Sequence, residues 1–226
     1  MKIFKVGGAV RDAQMGLRSK DTDWVVVGSS PEEMIKKGFK QVGKDFPVFL
    51  HPNTNEEYAL ARKDRKTGVG HKDFQFNFSP NVTLEEDLER RDLTINSMAL
   101  DENGNLIDPF NGAKDIENKC FRPVSQAFFE DPLRALRVAR FKAQFPEFFL
   151  HESMDQAPFK ISASNELLNL SSERVWGEVV KGLEHDFHQF LQIIRNYNLH
   201  EPWFNKLSEI PDINSDIAEI KWCQVS

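Results

Sequence analysis

Gly7-Gly8-Ala9-Val10-Arg11-Asp12 is followed, at residues 21–28, by Asp21-Thr22-Asp23-Trp24-Val25-Val26-Val27-Gly28. The glycine pair reads as the opening of a helix, and the two carboxylates stand at the head of an apolar strand. In a strand, side chains i and i+2 point to one face. Asp21 and Asp23 can therefore converge on a single hard cation, which is the oxygen-ligand chemistry that Mg²⁺ prefers. Glycines without side chains let backbone N–H groups approach a phosphate at a helix N-terminus. A metal-binding carboxylate pair beside a phosphate cradle points to a nucleoside triphosphate.

The 226 residues are enough for one large or two small domains with a real core. No apolar run approaches the roughly 18–20 residues of a membrane span. Met1-Lys2-Ile3-Phe4-Lys5-Val6 enters a strand-like segment at once, so no signal peptide is expected. Cys120 and Cys223 lie far apart without metal-ligand spacing, and a reduced, cytoplasmic setting follows as the expectation. A formal net charge of −6 argues against nonspecific coating of nucleic acid, which needs clustered cations. A local basic groove is compatible with that average, because arginines gather at Arg90-Arg91 and at Arg134, Arg137 and Arg140.

The front of the chain alternates strand-like and helix-like pieces. Phe4–Val6 and Trp24–Val27 read as strands, with a short helix from Val10 to Gly16 between them. Ser30-Pro31-Glu32-Glu33 carries a Ser cap, a first-turn Pro and a Glu three residues after the cap, and predicts a helix ending near Gly38. Strands are expected at 47–50 and 57–61 around the turn-rich His51-Pro52-Asn53-Thr54-Asn55. Residues 63–72 are basic and glycine-containing, as in a mobile loop that is either functional or disordered, whereas the alternating Phe74, Phe76 and Phe78 suit a strand instead. A helical pattern follows from Thr83 to Met98, interrupted around Arg90-Arg91-Asp92. Residues 101–105 form a hairpin-type turn, and 113–125 supply a short helix and a strand-like Cys120–Val124. Beyond residue 125 the pattern is helical, with one helix through Leu133 to Phe141, a second over 173–184 and a third over 188–197. The tryptophans Trp176 and Trp203 read as core or helix-packing residues rather than base-stacking platforms. The expected organisation is thus an α+β head over residues 1–125 and an all-helical part over 126–226.

Four motifs occur in order: Gly7-Gly8-Ala9-Val10-Arg11-Asp12, Asp21-Thr22-Asp23, Arg90-Arg91-Asp92-Leu93-Thr94-Ile95-Asn96 and Glu130-Asp131-Pro132-Leu133-Arg134. Asp108-Pro109-Phe110-Asn111-Gly112 and Glu173-Arg174-Val175-Trp176-Gly177-Glu178 accompany them. Together they resemble the ordered motifs of the bacterial-type (class II) tRNA nucleotidyltransferases, the CCA-adding enzymes, whose superfamily includes bacterial poly(A) polymerases. The resemblance covers about residues 1–184. It implies a polymerase β-like nucleotidyltransferase head with a small mixed sheet, then a helical neck and a body shorter than the family's usual one. It also implies template-free addition of C, C and A to the tRNA 3′ end from CTP and ATP, with Mg²⁺.

The same residues have plainer readings, and each is weighed against the resemblance. An isolated Asp-x-Asp is most often a surface turn or cap. Here, with Gly-Gly before it and a strand after it, Asp21 and Asp23 read as metal ligands of a two-metal centre. The family pattern suggests Glu57 as the third catalytic carboxylate; Glu56, one position away, faces the other side. Gly7-Gly8 with Arg11 is either a tight strand-to-helix turn with a surface arginine or, as the resemblance implies, a backbone contact from Gly8 to the triphosphate with Arg11 a charged clamp, Asp12 orienting Arg11 or capping the turn. Most Arg-Arg-Asp runs are solvated helix faces; the resemblance makes Arg91 a nucleotide contact and gives Asp92 and Asn96 the ribose or a buttressing role. Asp131, Arg134, Arg137 and Arg140 recur every three residues and form a slanting ridge on a helix. That ridge is either a salt-bridged surface or, as the resemblance implies, the nucleotide- and base-contacting edge. Partial addition, poly(A) synthesis and a catalytically silent tRNA-binding relative are the alternatives.

Overall fold

The computed structural model describes residues 1–19, 21–42, 48–66, 74–155, 160–162 and 165–206. The chain divides into two compact units, Met1–Glu130 and Asp131–Ser226.

The first unit begins with β1 (Lys2–Val6), α1 (Gly8–Gln14) and β2 (Asp23–Val27). Next come α2 (Pro31–Lys36), β3 (Lys40–Val42), β4 (Val48–Leu50) and β5 (Glu57–Leu60). A separate antiparallel hairpin, β6 (Lys63–Lys66) with β7 (Phe74–Asn77), precedes α3 (Leu84–Glu89). The unit continues through β8 (Ala99–Leu100), β9 (Leu106–Ile107), α4 (Gly112–Glu117) and β10 (Cys120–Phe121). Seven strands form one mixed sheet in the order β3-β4-β5-β2-β1-β8-β9. All neighbours are antiparallel except β2 and β5, which run parallel.

The sheet is covered on both faces, which is why β2 reads as a continuous valine run rather than an alternation. Phe4, Val6 and Val25 share one core with Val82, Leu88 and Ala99. Val26 and Leu60 share the other with Met34, Phe39, Phe49 and Tyr58. The helix starts follow the local signals. Ser30 Oγ accepts from Glu33 N at 3.3 Å with Pro31 in the first turn, and Thr83 and Glu86 close a reciprocal capping box. The helical pattern beyond Arg91 yields only a 3₁₀ turn, Thr94–Asn96. Asp92 Oδ1 takes the Leu93 N–H at 2.8 Å and Arg122 O takes that of Thr94 at 3.0 Å, so these donors have non-helical partners. The strand expected at Cys120–Val124 is likewise confined to Cys120–Phe121.

The expected basic loop lies largely outside the described residues, since within 63–72 only Lys63–Lys66 are described. Its phenylalanine-rich continuation is a strand, as the alternation suggests.

In the second unit, α5 (Leu133–Gln144), β11 (Phe149–Leu150) and α6 (Glu152–Asp155) lead to α7 (Ser172–Leu183) and α8 (Phe187–Asn196). α5 packs against both α7 and α8. Gly182 permits the turn from α7 into α8 to be tight, because a Cβ there would lie 2.9 Å from Phe190 Cδ2. Trp176 is 62% exposed rather than packed. No helix among the described residues is long and apolar enough to cross a membrane.

Candidate active site

Asp23 opens β2 and Glu57 opens the parallel neighbour β5, and the two are direct register partners. The following pair, Trp24 and Tyr58, stacks its rings at 5.5 Å and 11° on one face of the sheet. Side chains alternate along a strand, so Asp23 and Glu57 share the opposite face. Both are exposed at the edge of the core that contains Val6 and Val25. Glu56 precedes the strand. Asp21 is exposed and lies two residues before β2, where its carbonyl accepts a hydrogen bond from Ser19 Oγ at 2.7 Å. Among the described residues, no three His, Cys, Asp or Glu side chains are gathered closely enough to hold a metal ion. The donor set on offer is nevertheless hard and solvent-accessible: carboxylate oxygens from Asp23 and Glu57, with Asp21 adjoining.

Gly7, between β1 and α1, connects these carboxylates to a guanidinium. Its backbone has φ +70 and ψ −139, a conformation that side chains disfavour. A Cβ placed there would lie 3.1 Å from Arg91 Nη1 and 3.8 Å from Asp23 Oδ2. The Gly7-Gly8 turn, Asp23 and Arg91 are therefore neighbours. Arg91 Nη2 donates to Asp87 Oδ2 at 3.0 Å, while Asp87 Oδ1 accepts from Arg90 Nη2 at 2.7 Å and from Arg62 N at 3.2 Å. Asp87 is wholly buried. Burial alone would raise its pKa, but the Arg90 and Arg91 guanidiniums outweigh it and hold the carboxyl below the usual range. Asp87 escaped the sequence reading, although its signal is visible: an acid three and four residues before an arginine pair on a capped helix.

Arg11 is only 6% exposed. Its Nε and Nη2 donate to Asp12 Oδ1 at 2.9 and 2.7 Å, and its Nη1 donates to Asn96 Oδ1 at 2.9 Å. Asn96 in turn donates to Asp92 Oδ1 at 3.0 Å. The side chain expected as a phosphate clamp thus sits beneath Gly8, whose added Cβ would lie 3.6 Å from Arg11 Nη2. A second buried carboxylate, Asp115, accepts from Thr94 Oγ1 at 2.7 Å and from Arg122 Nε at 2.9 Å, which fixes the Thr94–Asn96 turn from below.

In the second unit, Arg134, Arg137 and Arg140 occupy the half-exposed stripe of α5, between fully buried neighbours. Asp131 Oδ1 accepts from Leu133 N at 3.1 Å and its Oδ2 from Arg174 Nη2 at 2.7 Å. Arg140 Nε donates to the buried Glu178 at 2.6 Å, and Arg137 Nη1 lies 3.8 Å from the same carboxylate. The Arg140 guanidinium also sits 3.9 Å from the centre of the Phe141 ring. Two residues of α7, Arg174 and Glu178, thus hold Asp131, Arg137 and Arg140 of the ridge.

A small mixed sheet with paired carboxylates at neighbouring strand ends, next to a glycine turn and a buttressed arginine, defines the nucleotidyltransferase head. The chain belongs to the poly A polymerase head-domain family, whose pattern matches residues 3–122. The resemblance seen in the ordered motifs is borne out by similar proteins. The multifunctional CCA protein of Pseudoalteromonas atlantica is 53% identical over 210 residues, which are 92% of this chain and 52% of that protein. The Bacillus stearothermophilus CCA-adding enzyme in complex with CTP is 30% identical with a TM-score of 0.67, over 87% of this chain and 48% of that one. The Thermotoga maritima CCA-adding enzyme complexed with tRNA is 25% identical with a TM-score of 0.67, over 87% and 47%. The chain therefore spans about half the length of the curated relatives it matches.

Proposed function

We propose that this chain carries the nucleotidyl-transfer chemistry of an enzyme that adds C, C and A to the 3′ end of tRNA without a nucleic-acid template, taking CTP and ATP and releasing pyrophosphate. The observation that carries the proposal is the Asp23–Glu57 register pair beside Gly7 and Arg91. In this reading Asp21 and Asp23 hold Mg²⁺, and Glu57 is the third catalytic carboxylate. Bound there, Mg²⁺ supplies charge stabilisation at the reacting phosphorus and lowers the pKa of the attacking 3′-hydroxyl. Gly8 offers a backbone donor to the triphosphate, Arg91 adds a guanidinium beside it, and Arg11, paired with Asp12, supports the nucleotide site from beneath Gly8. The 3′-oxygen attacks the α-phosphorus in line, and pyrophosphate leaves.

Selection of C and A is assigned to Asp131 and Arg134, with Arg137 and Arg140 towards the nucleotide or primer. A carboxylate accepts from the exocyclic amine that cytosine and adenine share, and a guanidinium donates to the adjacent ring acceptor or carbonyl. Uracil and guanine present the opposite pattern. Support for this reading is the fixed geometry of Asp131, gripped through both carboxylate oxygens. The chemistry is assigned to a head over residues 1–125 and base choice to the helical part from 126. A cytoplasmic setting suits tRNA maturation and the buried free thiol of Cys120.

The test uses tRNA transcripts ending before CCA, supplied with CTP, ATP or both, plus Mg²⁺. Two C residues with CTP alone, and completion by one A when both are present, are expected. Unlimited A-tailing of arbitrary RNA, or tRNA binding without any incorporation, would overturn the proposal. Asp23→Ala is expected to abolish incorporation while leaving the far-UV circular dichroism unchanged; full activity in that variant removes the metal assignment.

A further inference from the structure

Asp87 is a fully buried carboxylate on α3 to which the reaction assigns no task. An ionised carboxylate in such a place is costly unless it is paired and hydrogen-bonded. Its two oxygens divide their partners. Oδ1 serves Arg90 and the backbone N–H of Arg62, just beyond the end of β5, whereas Oδ2 takes Arg91 Nη2 at 3.0 Å. A guanidinium is planar, so fixing one of its edges sets the direction of the other. In Arg91 that second nitrogen, Nη1, faces Gly7, 3.1 Å from where a Cβ would stand, with Asp23 Oδ2 beside the same point.

We propose that Asp87 is the positioning residue that turns Arg91 towards the phosphates of the incoming nucleoside triphosphate and references it to β5, the strand that opens with Glu57. The proposal rests on the reading of the chain as a nucleotidyltransferase. Asp87 itself touches no substrate: its effect passes through Arg91. Arg90 shares the carboxylate but not the oxygen, so it serves as the control.

The experiment measures CTP affinity in the presence of Mg²⁺ by equilibrium dialysis on the full chain, with melting followed by circular dichroism. The variants are D87N, R91K, the double variant and R90Q. D87N and R91K are each expected to weaken CTP binding by about tenfold, the loss of one charge-assisted contact. The double variant is expected to bind no more weakly than the weaker single, because both changes break one chain of contacts. R90Q is expected to melt lower while its CTP affinity stays within about twofold of the wild type. Multiplicative losses in the double variant, wild-type affinity in D87N, or a tenfold loss in R90Q overturn the proposal. Should D87N not fold, D87E replaces it in the same cycle: the kept charge with a longer reach is expected to weaken CTP binding without adding to R91K, and wild-type affinity overturns the idea. A wild-type chain that binds CTP but extends no tRNA sinks the activity reading alone. A wild-type chain that binds no CTP sinks both.

Discussion

A methyl group has no room at Gly112. A Cβ there would stand 2.3 Å from the carbonyl oxygen of Thr94 and 3.0 Å from Met98 Cγ, and the first of these neighbours is backbone. The site is locked from the other side as well, since Asp108 accepts the Gly112 and Ala113 N–H groups at 2.7 and 2.9 Å and so caps α4. Gly112→Ala should therefore lose about 1–3 kcal/mol to overpacking, despite alanine's better helix propensity. The urea midpoint checks this, and an unchanged or higher midpoint contradicts it. The glycine is legible in the sequence as part of Asn111-Gly112, but its partner, the Thr94 turn, is not. Asp87 gives a pH signature. Its carboxyl titrates below the ordinary range in the folded protein because Arg90 and Arg91 outweigh the effect of burial. The stability it contributes is then complete above the unfolded value of about 3.9 and is lost as pH falls through the lower folded value. In denaturant titrations between pH 2 and 7, the gap between wild type and D87N should stay constant near neutrality and narrow only below about pH 4. A gap that already narrows near pH 6 contradicts this origin.

At the scale of elements, periodicity identifies which residues share a face but not what covers it. The ridge of α5 is readable as Arg134, Arg137 and Arg140 at intervals of three, and it does form one stripe. What holds it is not readable. Glu178 on α7 looks like an ordinary surface acid, yet it is buried against Arg140 and Arg137, while Trp176 on the same helix is turned outward. Charge and hydrophobicity are reversed from the usual preference at both positions because α5 brings its arginines to that side. Removing one partner of a buried pair leaves the other uncompensated. Glu178→Ala should thus cost about 3 kcal/mol in thermal or urea unfolding, and a loss of a few tenths would show the pair to be dispensable. Strand positions were more legible than the segment after Arg91. There, the adjacent Asp92 and the sequence-distant Arg122 supply partners that defeat the helical pattern of Leu93 to Met98.

At the scale of the whole molecule, the unit Met1–Glu130 buries both faces of its sheet with its own residues. Such a unit has the core that independent folding requires. A fragment of residues 1–130 is expected to melt cooperatively with retained near-ultraviolet circular dichroism, and a broad, non-cooperative transition contradicts that. Ordered motifs made the family readable, whereas the Asp23–Glu57 pairing was implied only by the family pattern, because nothing local in the chain states which strands become neighbours. That pairing bears on how such a site tolerates change. β2 and β5 are joined through α2, β3 and β4, and because β4 pairs Leu50 with Glu57, only the turns of that path can change length without disturbing the carboxylates. A single residue inserted within β5 behaves differently. It shifts the pairing by one step, turns the face over and offers a different side chain opposite Asp23. A change of length is thereby confined to the turns and barred from the paired strands.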